Sequence, residues 1–193
     1  MIKYLKPLVA ATAMLVAGAA NAAVLDFTEV APDWQGSNTI TLSNATIVTS
    51  GPDSYVFGSN NSTPPFGPTG GFCGLTSVNG YSCNTDATVT FNSAITNLMF
   101  KSAQYDPGDN VVASIFAGAT LLAQININSA MLVDFTGYSG ITSLFLDDGG
   151  GNGAGFAYGA FTFDTAQVPL PLGLPLLGSG LVLLGLLRRR KTS

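Results

Sequence analysis

The middle of this chain predicts an all-β fold, a jelly-roll-like β-sandwich, on three observations. Ten short runs, alternating or wholly apolar, are separated by turn-forming residues. The same region is rich in Gly, Thr, Ser, Asn, Val, Ile and Phe and poor in Glu, Lys and Arg, the usage of pleated rather than helical segments. No long stretch sets apolar residues at helical spacing. A β-solenoid is the rival architecture, but the chain carries no fixed-period repeat to support it.

In chain order, residues 1–22 come first. Lys3 and Lys6 precede an apolar run, and Ala20-Asn21-Ala22 puts small residues at the −3 and −1 positions of a cleavage site. That is the pattern of a secretory signal peptide, so the mature chain is expected to begin at Ala23. An uncleaved N-terminal anchor is the alternative, for which the run is short.

Residues 23–167 then form one domain of ordinary size with enough chain to bury a core. The strand candidates are 24–30, 38–49, 55–57, 87–91, 95–101, 111–116, 120–127, 132–136, 141–146 and 156–163. Of the seven Lys and Arg residues only Lys101 lies in this region, while all eleven acids do, so its net charge is 1 − 11 = −10. Such a surface has no means of displacing counterions from phosphates, which excludes nucleic acid as a partner. Divalent cations and neutral ligands suit it.

Between the strands, 60–71 is irregular: its three prolines and three glycines forbid a central strand. Cys73 and Cys83 follow, the only cysteines of an exported chain. Their spacing and compartment predict a disulfide, to which chain entropy assigns roughly 2.5 to 3 kcal/mol.

Asp106-Pro107-Gly108-Asp109 has the residue order of a type II turn, read first as a solvated hairpin joining the flanking strands. Its sharper reading gives Asp106 and Asp109 to Ca²⁺, which takes several oxygen ligands. Asp147 and Asp148 open a glycine-rich loop that also contains Asn152. These oxygens form a second candidate Ca²⁺ site, weighed against a plain surface loop. A Gly-x-Gly-x-x-Ala match at 149–154 is discarded, because a strand follows it where dinucleotide binding needs a helix.

Phe27, Phe91, Phe100, Phe116, Phe135, Phe145, Phe161 and Phe163 lie within strand candidates and are expected in the core. Trp34, Tyr55, Phe66, Tyr81, Tyr105, Tyr138 and Tyr158 lie near loops or strand ends, where an exposed ring is able to stack on a sugar. Catalysis has little to work with: the chain contains no histidine, the disulfide consumes both thiols, and one lysine remains. Zinc lacks its preferred nitrogen ligands. Paired carboxylates suited to glycoside hydrolysis are unavoidable among eleven acids and therefore indicate nothing. The expectation is a protein that is not an enzyme.

The end of the chain, 168–193, reads Val168-Pro169-Leu170-Pro171, then an apolar run, then Arg188-Arg189-Arg190-Lys191. From Leu170 to Leu187 there are eighteen residues without a charge, ten of them leucine. At about 1.5 Å per residue that span nearly matches a hydrocarbon core of about 30 Å. The basic cluster holds its C-terminal end in the cytoplasm, so the domain lies outside.

This tail resembles the PEP-CTERM class of bacterial sorting signals, most closely its Val-Pro-Leu-Pro-Ala variant, with Leu172 where the variant has alanine. The resemblance implies that an exosortase, a membrane transpeptidase, cleaves near Val168–Pro171 after the protein has rested in the inner membrane. It further implies delivery to the cell envelope, surface or extracellular matrix. An ordinary single-pass anchor with a proline-rich stalk is the alternative. The run from the glycine loop through Gly-Phe-Ala-Tyr-Gly-Ala-Phe-Thr-Phe-Asp is similar to the end of jelly-roll domains of that class. In several of these a final strand abuts a structural calcium, which implies that Asp26 and Asp164 meet if the domain termini pair.

Two functions remain open from the sequence: a structural or adhesive envelope protein, and a calcium-dependent carbohydrate-binding module for exopolysaccharide.

Overall fold

The computed structural model of the protein describes residues 21–59, 66–105, 107–149 and 154–165. Eleven strands form one large, continuous antiparallel sheet, consistent with a β-sandwich. They are β1 (Asn21–Val24), β2 (Asp33–Trp34), β3 (Thr39–Thr41), β4 (Ala45–Thr49), β5 (Asp53–Phe57), β6 (Gly71–Leu75), β7 (Ala87–Gln104), β8 (Val111–Ala117), β9 (Thr120–Ile127), β10 (Met131–Asp148) and β11 (Phe156–Thr165). The main path runs β2-β5-β6-β11-β7-β10-β8-β9, while β4 also pairs with β7, β3 with β4, and β1 with β11.

Two long strands organise this path. β7 pairs with β4 over its first residues, Ala87–Phe91, and with β11 from Ile95 onward, and it pairs with β10 along most of its length. β10 in turn pairs with β8 only through Ser143–Asp148. The sheet therefore has two halves sharing β7 and β10, and side chains from both halves form a single apolar core: Ile47, Val89 and Leu144 from one, Phe72, Phe100 and Phe161 from the other.

The alternation that defines the core face changes phase inside each central strand. In β7 the buried positions are Ala87, Val89, Phe91 and Ile95, then Leu98, Phe100 and Ser102 with Ala103; in β10 they are Val133, Phe135 and Ile141, then Leu144, Leu146 and Asp148. In β11, Phe156 and Tyr158 give way to Phe161 and Phe163 in the main core. Each change coincides with a register shift in that strand's pairing: around Asn97 (φ 55°) in β7, between Ile141 and Ser143 in β10, and around Ala160 (φ 50°) in β11, while Gly137 (87°) and Gly140 (73°) lie earlier in β10, where the parity is unchanged. A bulge adds an unpaired residue and so reverses which parity points inward, which lets both ends of a long strand face one core.

Several expectations are corrected here. The runs 87–91 and 95–101 are one strand, as are 132–136 and 141–146. The run 24–30 is not a strand throughout: after β1, Asp26 caps a 3₁₀ turn at Phe27–Glu29, its carboxylate accepting from the Thr28 N–H at 2.9 Å. The run 38–49 is the hairpin β3–β4. β6 was hidden by its glycines. Both lie where a Cβ would collide: at Gly71 with the Phe66 ring and the Tyr158 carbonyl, at Gly74 with Thr85 and Thr49. The 106–109 connection is not a hairpin either, since β10 lies between β7 and β8 in the sheet.

The disulfide stands as expected: Cys73 on β6 is joined to Cys83, with Cα atoms 5.3 Å apart. Cys83 also donates its N–H to the Ala154 carbonyl at 2.8 Å and accepts from the Phe156 N–H at 3.0 Å, so the bond ties the 76–86 loop to both β6 and the start of β11. Changing both cysteines to serine should cost roughly 2.5 kcal/mol. For a domain of this size that lowers the melting temperature by about 5 to 10 °C, read by thermal denaturation of oxidised and substituted protein.

Among the described residues no helix is long and apolar enough to cross a membrane. The leader through residue 20, the sorting tail 168–193, Asp106 and Asn152 lie outside the described residues. In β1, the pairs Ala23↔Phe163 and Val24↔Thr162 fall on the mature side of the expected cleavage point.

Candidate functional site

The feature that stands out is an aromatic groove on the outward face of β5 and β6. Alternation sends Val56 into the main core and Tyr55 and Phe57 to the opposite face, where a second apolar cluster gathers around Phe57, Phe66, Cys73, Leu75, Cys83, Ala103 and Ala157. Above it opens a cavity of about 410 Å³, lined chiefly by Trp34, Tyr55, Phe57, Tyr81 and Tyr105, with the disulfide in its wall. That volume falls within the range of roughly 300 to 1,000 Å³ typical of ligand pockets.

Local structure fixes each ring. β2 pairs with β5 so that Trp34 lies opposite Tyr55, and their rings meet at 5.3 Å and 81°. The Trp34 indole N–H donates to the Gly80 carbonyl at 3.0 Å, and the Tyr81 ring stands at 82° to the indole, 5.6 Å away. Edge-to-face contacts of this kind suit the aromatic quadrupole. Tyr81 remains 85% exposed, so the groove is open along that side. Tyr105 backs the groove, stacked against Phe57 at 6.4 Å and 27°, and its backbone N–H donates to the Gly155 carbonyl at 3.0 Å. Its hydroxyl is shut off from solvent and has no hydrogen-bond partner among the described residues. Burial, then the neighbouring Tyr55, pushes the Tyr105 phenol well above its ordinary value, so it stays neutral and able both to donate and to accept.

Beneath the groove lies an unanticipated polar anchor. Asp53 is fully buried at the start of β5. One of its carboxylate oxygens accepts from the N–H groups of Ser54 (2.8 Å) and Ser37 (3.1 Å), the other from Asn79 (3.1 Å). It thereby fastens the 76–80 turn, whose Gly80 carbonyl holds Trp34. Burial raises the carboxyl pKa, but the backbone donors Asn79, Ser54, Ser37 and Gly36 outweigh it, leaving the group below the ordinary carboxylate value.

Four of the seven candidate sugar-stacking aromatics, Trp34, Tyr55, Tyr81 and Tyr105, meet in this groove. Phe66 is buried beside it against Phe57, whereas Tyr138 stands exposed next to Phe135 and Tyr158 is a core residue. Phe57 is the groove residue that sequence reasoning missed; its position two residues from Tyr55 in one strand was the available signal. Of the expected core phenylalanines, Phe116 and Phe145 are half-buried and the rest buried.

The candidate calcium ligands are placed apart in several respects. β1 and β11 do pair, but the register sets Asp164 opposite Ala22, and the Asp164 carboxylate accepts from the Asn97 side-chain amide at 2.8 Å while Asp26 caps its own turn. Asp147 and Asp148 are consecutive in β10: Asp147 is exposed and Asp148 buried. Asp148 takes the register position opposite Val111, and Asp109 is buried just before that strand. Among the described residues no group of three or more His, Cys, Asp or Glu side chains is set to hold a metal ion.

The fold and the groove together define an all-β domain with an open aromatic face. No family model and no curated protein matches the chain.

Proposed function

We propose that the protein is an exported component of the bacterial cell envelope or extracellular matrix with an adhesive role, its outward aromatic groove being the adhesive face. The observation that carries the reading is the closed Cys73–Cys83 bond in the groove wall. Disulfides persist in oxidising compartments outside the cytosol, and this one agrees with the leader at 1–22 and the sorting tail at 168–193, which independently specify export.

In this reading the apolar tail holds the protein in the inner membrane, and an exosortase-type transpeptidase then cuts near Val168–Pro171. The described residues carry nine net negative charges, Lys101 against ten acids, so the body repels nucleic acid and anionic lipid. Nothing in the residue set favours an enzyme: the chain has no histidine and both thiols are joined.

The test is mass spectrometry of the mature C-terminus in producing cells. A terminus within or next to 168–171, lost when the exosortase is deleted, is expected. A protein recovered from the cytosol with residue 1 and Ser193 both present would remove the reading.

A further inference from the structure

We propose that the groove formed by Trp34, Tyr55, Tyr81 and Tyr105 binds a neutral oligosaccharide of pyranose sugars. This deepens the adhesive reading by naming the ligand class, and it rests on that reading for its biological setting.

Four observations carry it. First, the rings meet edge to face and, unlike the core rings, are open to solvent on one side, with Tyr81 85% exposed. Trp34 stands nearly perpendicular to both Tyr55 and Tyr81, at 81° and 82°, so the three form a stepped corner rather than a flat stack. A pyranose offers an apolar C–H face and a polar hydroxyl rim, and a stepped aromatic corner gives the face a ring to lie on while the rim remains free to hydrogen-bond.

Second, the wall holds a polar group with no partner. A buried hydroxyl left unsatisfied is costly, and the Tyr105 hydroxyl, backing this cavity, is in that condition among the described residues. A sugar hydroxyl satisfies a phenol whichever partner donates. A purely apolar ligand leaves it orphaned.

Third, the electrostatics select for neutrality. No cation lines the groove, and among the described residues the sole Lys or Arg is Lys101. An anionic glycan entering a domain of this charge meets repulsion without a compensating contact. Fourth, the frame is pre-organised. The Trp34 N–H is tied to Gly80, the Gly80 turn to Asp53, and the groove wall to β6 through the disulfide. The rings themselves need little ordering on binding, whereas the wall over the Tyr105 hydroxyl, closed to water in the free protein, has to yield to admit a sugar hydroxyl.

Trp34 is the only tryptophan in the chain, so its emission reports on this site alone. The experiment uses the full chain, purified from the producing cell's membranes in a detergent without a sugar headgroup. It is titrated with neutral hexasaccharides of β-linked glucose, mannose and xylose, with an oligogalacturonate as the anionic arm and with a Val-Pro-Leu-Pro-Leu peptide. The expected result is a saturable change in Trp34 emission with at least one neutral hexasaccharide and none with the oligogalacturonate.

Tyr81→Ala removes an exposed ring that the fold does not need and should weaken binding about tenfold. Tyr105→Phe keeps the ring and removes the hydroxyl. It should weaken binding about fivefold with the melting temperature unchanged or raised, since the variant has no orphaned group. Silence with every neutral sugar overturns the proposal. So does a response to the oligogalacturonate or to the peptide with none to neutral sugars, or binding that Tyr81→Ala leaves intact.

The two readings fail separately. A correctly processed surface protein with a silent titration keeps the envelope role and rejects the sugar. Saturable binding by a protein retained unprocessed in the inner membrane does the reverse.

Discussion

Phe161→Ala should destabilise the domain by about 3 to 5 kcal/mol, the range for emptying a fully buried aromatic site. Phe161 is 0% exposed and, like Phe72 and Tyr158, touches three other rings of the core's aromatic group. Its ring stacks on Phe100 at 5.0 Å and 17°, and lies 6.3 Å from Phe72 and 6.2 Å from Phe27. Those three come from β7, β6 and the 3₁₀ turn after β1, so removing the ring loosens three elements at once. The surroundings collapse poorly, because the neighbours are rigid rings held by sheet register, and the cavity term should therefore be large. Phe161→Leu fills most of the volume and should cost no more than about 1.5 kcal/mol. Urea unfolding of both variants separates the two costs; equal midpoints would show that the site repacks freely.

That position also shows why part of the fold was legible in the sequence and part was not. In β8 and β9 the strand limits read from residues 111–116 and 120–127 agree with Val111–Ala117 and Thr120–Ile127 to within one residue, even across the register shift after Ile115. In the long strands β7 and β10 the irregular middle makes each read as two strands, whereas 156–163 reads as one strand across the register shift in β11. Ala160 adopts positive φ with nothing in its identity to announce it, and Asn97, of a type that tolerates positive φ, gives only a weak signal. β6 failed for a different reason. Its glycines lower strand propensity, and only tertiary neighbours, Phe66 and Tyr158 at Gly71, Thr49 and Thr85 at Gly74, explain why no side chain fits there.

The candidate site divides the same way. Trp34, Tyr55, Tyr81 and Tyr105 were recognisable as loop-proximal rings, and Cys73 with Cys83 as a bond. Their convergence depends on β2 pairing with β5 and β5 with β6, which is non-local and has no signature in local pattern. The paired aspartates Asp147 and Asp148 show what sequence adjacency leaves unsaid, Asp147 being exposed and Asp148 buried. Adjacency in sequence suggests cooperation, yet strand geometry sends consecutive side chains to opposite faces.

Asp53→Ala should cost about 3 to 4 kcal/mol and disable the groove together with the fold. Hydrogen bonds to a charged acceptor contribute about 1.5 to 3 kcal/mol each, and this carboxylate accepts from Ser54, Ser37 and Asn79, with water able to replace the protein partner only at the more exposed of the three. With that one replaced, the other two bonds at the low end of the range, about 1.5 to 2 kcal/mol each, give the stated total. Asp53→Asn keeps the shape but presents an amide nitrogen to N–H groups at one of its two ends, so it should recover only part of the loss.

The pH dependence has a definite sign. Because the folded-state pKa is lowered, the folded protein binds fewer protons at Asp53 than the unfolded chain does. The contribution is fully present above the unfolded value of about 3.9 and is lost as pH falls through the lower folded value. Asp134 acts in the same direction, its pKa lowered by the Thr136 N–H and hydroxyl. Stability measured from neutral pH downward should therefore hold until the carboxylate range and then fall, and the fall should be shallower in Asp53→Asn. Trp34 emission followed along the same titration distinguishes local from global loss. If the turn that holds Gly80 lets go first, the indole signal moves before the sheet unfolds; if the two transitions coincide in the wild-type chain, Asp53 supports the whole domain rather than the groove in particular.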